Sequence, residues 1–259
     1  MRLSKPIFFT LTTTLYLIVL SSCQAPAGHS RSTAEDKGKA NSPSQRATGE
    51  ITGKVSFNGI RPKRIRISME QDPVCARENQ APVYLEDYEV EPDGSLPNAF
   101  VYVKSGLEGR SYPVPKQPVI LTQAGCIFRP HIFGVMVGQP IEITSKDPTT
   151  HNVHFVPRIN RDWDHSLPPG SPPLRVRFTK PEIMIPVTCN HHRWMYAYVG
   201  VMTNPFYAVT GSDGRFTIKG LPPGEYTLAV WTATFGTQDR RITVRANHSI
   251  SIDFLFSSH

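Results

Sequence analysis

The stretch VTCNHHRWMYAYV, residues 187–199, sets one cysteine, two histidines and a methionine within the seven residues from Cys189 to Met195. The segments around it, "EIMIPV" before and "YAYVGVM" after, have the β-rich, turn-bounded character of strands. The loop between them therefore carries Cys189, His192 and Met195 in a C-x2-H-x2-M pattern. A second histidine cluster lies upstream in "DPTTHNVHF", with His151 at its head. Three potential ligands in one short loop, with a histidine from a distant strand, suit a loop that closes over the end of a β-sandwich.

Moving outward, the chain continues in the same style. Strand candidates include "EITGKVSFNG", which ends in the turn signal Asn58-Gly59, and "NAFVYVK", "PVILTQ", "FGVMV", "PIEITSK", "NVHFV", "LRVRF", "FYAVT", "RFTIKG", "EYTLAVW", "RRITVR" and "SISIDFLF". The 24 prolines and 18 glycines punctuate strands rather than helices. No amphipathic helix of ten or more residues and no internal repeat stands out, so the fold class is all-β, of sandwich type. A net charge of +7 raises nucleic acid as a partner. The Lys and Arg residues are scattered, however, with no basic helix and no aromatic-basic alternation, so nucleic-acid binding is excluded.

The start of the chain reads as an export signal. Arg2 and Lys5 precede an uncharged run from Ile7 to Leu20, 14 residues long and too short to span a bilayer comfortably. It ends in "LSSC", Leu20 to Cys23, which resembles a bacterial lipoprotein lipobox. The resemblance implies a signal peptide over 1–22, lipid on the Cys23 sulfur, and attachment to a membrane outside the cytoplasm. Gln24 in place of Asp points to the periplasmic face of the outer membrane. Residues 23–48 have almost no large apolar side chains and read as a flexible tether.

The ligand chemistry is specific. One thiolate, two imidazoles and a thioether form a soft donor set suited to copper, and a trigonal His2Cys plane with a weak axial Met is the blue-copper arrangement. Residues from about 119 to 209 resemble the cupredoxins, and the amicyanins among them most closely. The resemblance is carried by "IFRPHIFGVMVGQPIEITSKDPTTHNVHFV" and "MIPVTCNHHRWMYAYVGVM". It implies one type 1 copper ion held by His151, Cys189 and His192, with Met195 axial. It also implies that Asn152 ties the two ligand loops together by hydrogen bonds. Arg193 departs from the family, whose loop favours Pro there, and His191 and His154 are possible alternative ligands. In cupredoxins the second ligand histidine presents its ring edge at the surface. Here that would be His192, with Trp194, Met195 and Pro186 as an apolar docking patch.

The C-terminal "TGSDGRFTIKGLPPGEYTLAVW" resembles carboxypeptidase regulatory-like (transthyretin-like) domains, with the turns Asp213-Gly214-Arg215-Phe216 and Gly220-Leu221-Pro222-Pro223-Gly224-Glu225-Tyr226. Such domains open with strands like "ITGKVSFNG" and "NAFVYVK", which here lie far upstream. The expectation is a split regulatory-like sandwich, 49–106 and 206–259, around a Greek-key cupredoxin sandwich at 107–205. A tandem order is the alternative.

With Cys23 lipidated, Cys75 and Cys126 remain as a disulfide pair, and metal ligation accounts for Cys189. No H-x-x-E, H-E-x-x-H or G-x-S-x-G motif and no H-x-H pair is present, so no enzyme is expected. The resulting reading is a lipid-anchored carrier of single electrons between exported redox partners, such as a cytochrome or a dehydrogenase. The alternatives are a copper carrier or buffer in the cell envelope and a non-redox β-sandwich binding or scaffold lipoprotein.

Overall fold

A computed structural model describes residues 47–258. The export signal, Cys23 and all but the last two residues of the tether lie outside the described residues. The strands, in chain order, are β1 Gly49–Asn58, β2 Phe100–Ser105, β3 Val119–Gln123, β4 Phe128–Arg129, β5 Ile132–Met136, β6 Ile141–Ser145, β7 His151–Phe155, β8 Trp163–Leu167 and β9 Leu174–Val176. They continue as β10 Glu182–Thr188, β11 Tyr196–Met202, β12 Tyr207–Val209, β13 Arg215–Leu221, β14 Gly224–Thr232, β15 Gly236–Val244, β16 Ser249–Ser251 and β17 Phe254–Ser257. One short helix, α1 Pro73–Glu78, and a 3-10 turn at Glu86–Tyr88 interrupt them.

The strands build four sheets in two sandwiches. In the first, sheets ordered β5-β11-β10-β7-β8 and β4-β3-β6-β9 share one core. Alternate residues of each strand point into it: Leu121, Val135, Ile141, Ile143, Val153, Ile185, Val187 and Val199. In the second, β12-β2-β14-β15 faces a sheet centred on β1, which carries β13 antiparallel on one side and β16 then β17 parallel on the other. Its core holds Ile51, Val55, Val101, Val103, Ile218, Leu228, Val230 and Phe254. The alternation read in "EITGKVSFNG" is the inward face of β1. Among the described residues, strands β1 and β2 thus pair only with strands that follow the first sandwich in the chain.

Some elements depart from the sequence pattern, each for a local reason. Trp163–Leu167 forms a strand that periodicity does not predict. It is the sheet edge, and Asp164, His165 and Ser166 are all exposed there, a common way of protecting an edge. "SISIDFLF" is two strands rather than one. Asp253 breaks the ladder, its side chain accepting a hydrogen bond from Lys54 N at 2.8 Å. Within 59–98, Met69 and Cys75 join the core of the first sandwich, and Ile67 and Val83 pack against it. The first part of that segment thus caps the first sandwich, while Val90 and Leu96 join the core of the second.

Candidate metal centre

β10 and β11 pair in the register Thr188↔Tyr196, so residues 189–195 close a hairpin. Cys189 N donates to Met195 O at 3.1 Å and Met195 N to His192 O at 2.9 Å. This tight loop turns Cys189, His192 and Met195 inward and leaves Asn190, His191 and Arg193 exposed. β7 pairs with β10 at His154↔Thr188, which brings His151, the first residue of β7, beside the loop.

His151 Nδ1 lies 3.0 Å from His192 Nδ1, and Cys189 Sγ lies 3.7 Å from the same nitrogen. The three donor atoms are all within 4.8 Å of one another. Three donors each about 2 Å from one ion would stand about 3.5 Å apart, so this spacing fits a single shared ion. The residues are almost sealed from solvent, with exposures of 0, 3 and 5% for His151, Cys189 and His192. Met195 is buried in the same apolar cluster as Cys189.

The far nitrogen of each ring is held by a carboxylate. His151 Nε2 is 2.9 Å from Asp147 Oδ2, and Asp147 accepts from Gly125 N at 2.6 Å and Cys126 N at 2.9 Å. His192 Nε2 is 2.8 Å from Asp72 Oδ2, and Asp72 Oδ1 accepts from Val74 N at 2.8 Å and Cys75 N at 3.1 Å as the N-cap of α1. Cys75 and Cys126 form a disulfide. One covalent bond therefore joins the two segments whose backbones orient the two carboxylates, and such outer partners fix a ligand's tautomer and direction.

The electrostatics follow from this packing. Burial alone would raise the Cys189 thiol, but hydrogen bonds from His151, the Asn152 backbone and His192 bring it down to about 7. Burial works against a charged His151, yet the Asp147 hydrogen bond and the neighbouring Cys189 raise it to about 9. Burial also opposes ionisation of Asp72 and Asp147. Their histidine partners and backbone donors nevertheless hold both carboxyls below the ordinary range. The pocket thus favours the thiolate, the form that ligates metal.

Asn152 joins the two ligand loops: its Oδ1 accepts from Asn190 N at 2.5 Å, and its Nδ2 donates to Asp164 Oδ1 at 2.6 Å. His154 and His191 are not brought to the centre. His154 faces outward, its Nε2 2.9 Å from Asp162, and His191 is exposed.

Two expectations are corrected. The His192 ring edge is not at the surface, because Asp72 and the capping segment cover it. No apolar patch surrounds it either. Met195 is buried, and Trp194 is half-buried with its Nε1 donating to Cys126 O at 3.0 Å. What opens there is a polar cleft of about 390 Å³ whose wall His192 shares with Gln71, Asp72, Thr149, Thr150, His191 and Trp194. Sequence reasoning missed Asp72, for which the only signal was the helix-start pair Asp72-Pro73.

Comparison with known proteins divides along the chain. A family model described as the carboxypeptidase regulatory-like domain matches residues 197–257. No curated protein sequence matches the chain. Among solved structures it is similar to the Cu-containing nitrite reductase NirK from Thermus scotoductus SA-01, at 21% identity and a TM-score of 0.32 over 37% of this chain and 24% of that one. The chain thus spans about a quarter of that reductase's length. It is similar to an oxidised mutant of amicyanin at 18% identity and a TM-score of 0.30, over 39% of this chain and 98% of that one. It is also similar to a purple cupredoxin from Nitrosopumilus maritimus at 16% identity and a TM-score of 0.28, over 32% and 99%.

Proposed function

We propose that this chain is a membrane-tethered type 1 copper protein that carries single electrons between exported redox partners and catalyses no reaction of its own. The observation that carries the reading is the convergence of two imidazole Nδ1 atoms and the Cys189 sulfur in one buried space, with Met195 in the same loop. This donor set matches copper by softness and number. Bound there, copper would supply a one-electron couple.

The chain's own residues do the rest. The 189–195 hairpin fixes three side chains at once, and β7 fixes His151. Asp147 and Asp72 hold the rings by their far nitrogens, and Asn152 locks one ligand loop to the other. A centre held this rigidly rearranges little when its charge changes, which suits electron transfer. A copper carrier would need ligands that open to an acceptor protein, and ligands that are 0–5% exposed beneath a disulfide-fixed cap oppose that reading. The partner belongs to the class of exported cytochromes or dehydrogenases, and the lipid on Cys23 would hold the chain at the periplasmic face of the outer membrane.

The test is one equivalent of Cu(II) added to the detergent-solubilised full-length protein, with Cys189→Ser beside it. An intense blue band present in the wild type and lost in the variant is the expected result. A colourless wild type would end the electron-transfer reading.

A further inference from the structure

Asp72 stands on a segment outside the strands that supply the ligands, yet it touches one of them. Its orientation is fixed from two directions. Oδ1 is taken by Val74 N and Cys75 N, and α1 is stapled to the first sandwich through Cys75–Cys126. Oδ2 is left to face His192 Nε2 at 2.8 Å, with Thr149 Oγ1 donating to it at 3.4 Å. An imidazole that gives its Nε2–H to a carboxylate keeps its lone pair on Nδ1, the nitrogen that faces Cys189 and His151.

We propose that Asp72 is a positioning residue of the centre. It fixes the tautomer and direction of His192, and its negative charge biases the loaded site towards the more positive copper state. The inference rests on the copper reading above. Two physical effects lie behind it. A carboxylate partner makes the ring a stronger donor at Nδ1. A fixed negative charge about a ring's width away, partly buried at the edge of the polar cleft, favours the extra positive charge of Cu(II) over Cu(I), and water in the cleft screens it only in part. Because Asp72 occupies the ring edge, electron exchange with a partner would pass through the His192–Asp72 hydrogen bond into the polar cleft.

The experiment is a redox titration of the copper-loaded full-length protein in detergent, wild type against Asp72→Asn. Asparagine caps a helix as well as aspartate, so α1 keeps its N-cap and only the charge is removed. The expected result is a retained blue band with the Cu(I)/Cu(II) preference moved at least tenfold towards Cu(I), a rise of about 59 mV in the one-electron potential. A second readout needs no metal. Nitrogen–proton correlation spectra of the copper-free protein should show a single Nε2–H tautomer for His192 in the wild type and a mixture in Asp72→Ala. A retained band with an unmoved potential in Asp72→Asn, or an unchanged tautomer in Asp72→Ala, overturns this inference alone. A wild type without the band overturns the copper reading and this inference with it.

Discussion

His192→Gly removes one of the two Nδ1 donors and leaves a ring-sized gap in the wall of the cleft formed by Gln71, Thr149, Thr150 and His191. The copper-loaded variant is expected to lose its blue band and to regain it when imidazole is added, because the cleft gives a small ring a way in. His191→Ala is expected to leave the spectrum unchanged, since that side chain is exposed and is not among the converging donors. Visible spectra of the two variants decide between the adjacent histidines, and a band lost in His191→Ala would reverse the assignment. The sequence could propose His192 because three ligand types recur within one hairpin loop, where spacing alone fixes geometry. It could not propose Asp72. Nothing local marks an aspartate that reaches the centre only after the chain has folded a distant segment over it and closed a disulfide.

At the scale of elements, the cap and the loop after β7 each depend on one device. The Cys75–Cys126 bond closes a loop of 51 residues, which corresponds to about 4 kcal/mol of stability through the entropy of the unfolded chain. Replacing both cysteines by serine should lower the denaturant midpoint accordingly. Thiol counting on the denatured, metal-free soluble protein lacking Cys23 should find one reactive group, Cys189. A count of three would refute the bond. The loop at 158–160 is organised by Glu182, whose carboxylate accepts from Arg158 N at 2.5 Å, Ile159 N at 3.2 Å, Asn160 N at 3.1 Å and Asn160 Nδ2 at 3.0 Å. Burial alone would raise this carboxyl, but those donors hold it below its ordinary value. Its folded-state value is depressed, so its contribution is fully present above the unfolded value of about 4.3 and fades as pH falls below that. Glu182→Gln should therefore cost about 2 kcal/mol at pH 7 and progressively less at lower pH, measured by urea unfolding across pH. A cost independent of pH would show that the carboxylate's charge is not what orders the loop. β10 was legible from its apolar residues, whereas this loop anchor was not, because an isolated Glu at a strand start carries no spacing signal.

At the scale of the molecule, the two sandwiches are joined by a third apolar layer rather than by a linker. Phe100 of β2 is fully buried there, with Tyr102, Ile132, Met184, Met202 and Ala229. It sits on a flat spot made by Gly134 and Gly200, which are paired across β5 and β11. A Cβ on Gly200 would come within 2.7 Å of the Phe100 ring, and one on Gly134 would collide with the Tyr207 ring, so only glycine allows the sheets this close. Asp87 adds a polar pin. Its carboxylate is 2.7 Å from His131 Nε2 on the side of the first sandwich, and its carbonyl accepts from the Thr234 hydroxyl on the other side. The motif turns of the C-terminal half revealed the second sandwich in the sequence, but this joint was illegible, since paired glycines from β5 and β11 look like ordinary breakers until the strands align. The expected behaviour is a single cooperative thermal transition for both sandwiches in the wild type. Phe100→Ala empties the joint while leaving both sandwich cores intact, at a cost of about 3–5 kcal/mol. Scanning calorimetry should then resolve two transitions, of which copper raises only the one belonging to the sandwich that holds His151, Cys189 and His192. If Phe100→Ala still melts in one step, the coupling lies in the disulfide-fixed cap and Asp87, and the apolar layer only fills space between two bodies joined by other means.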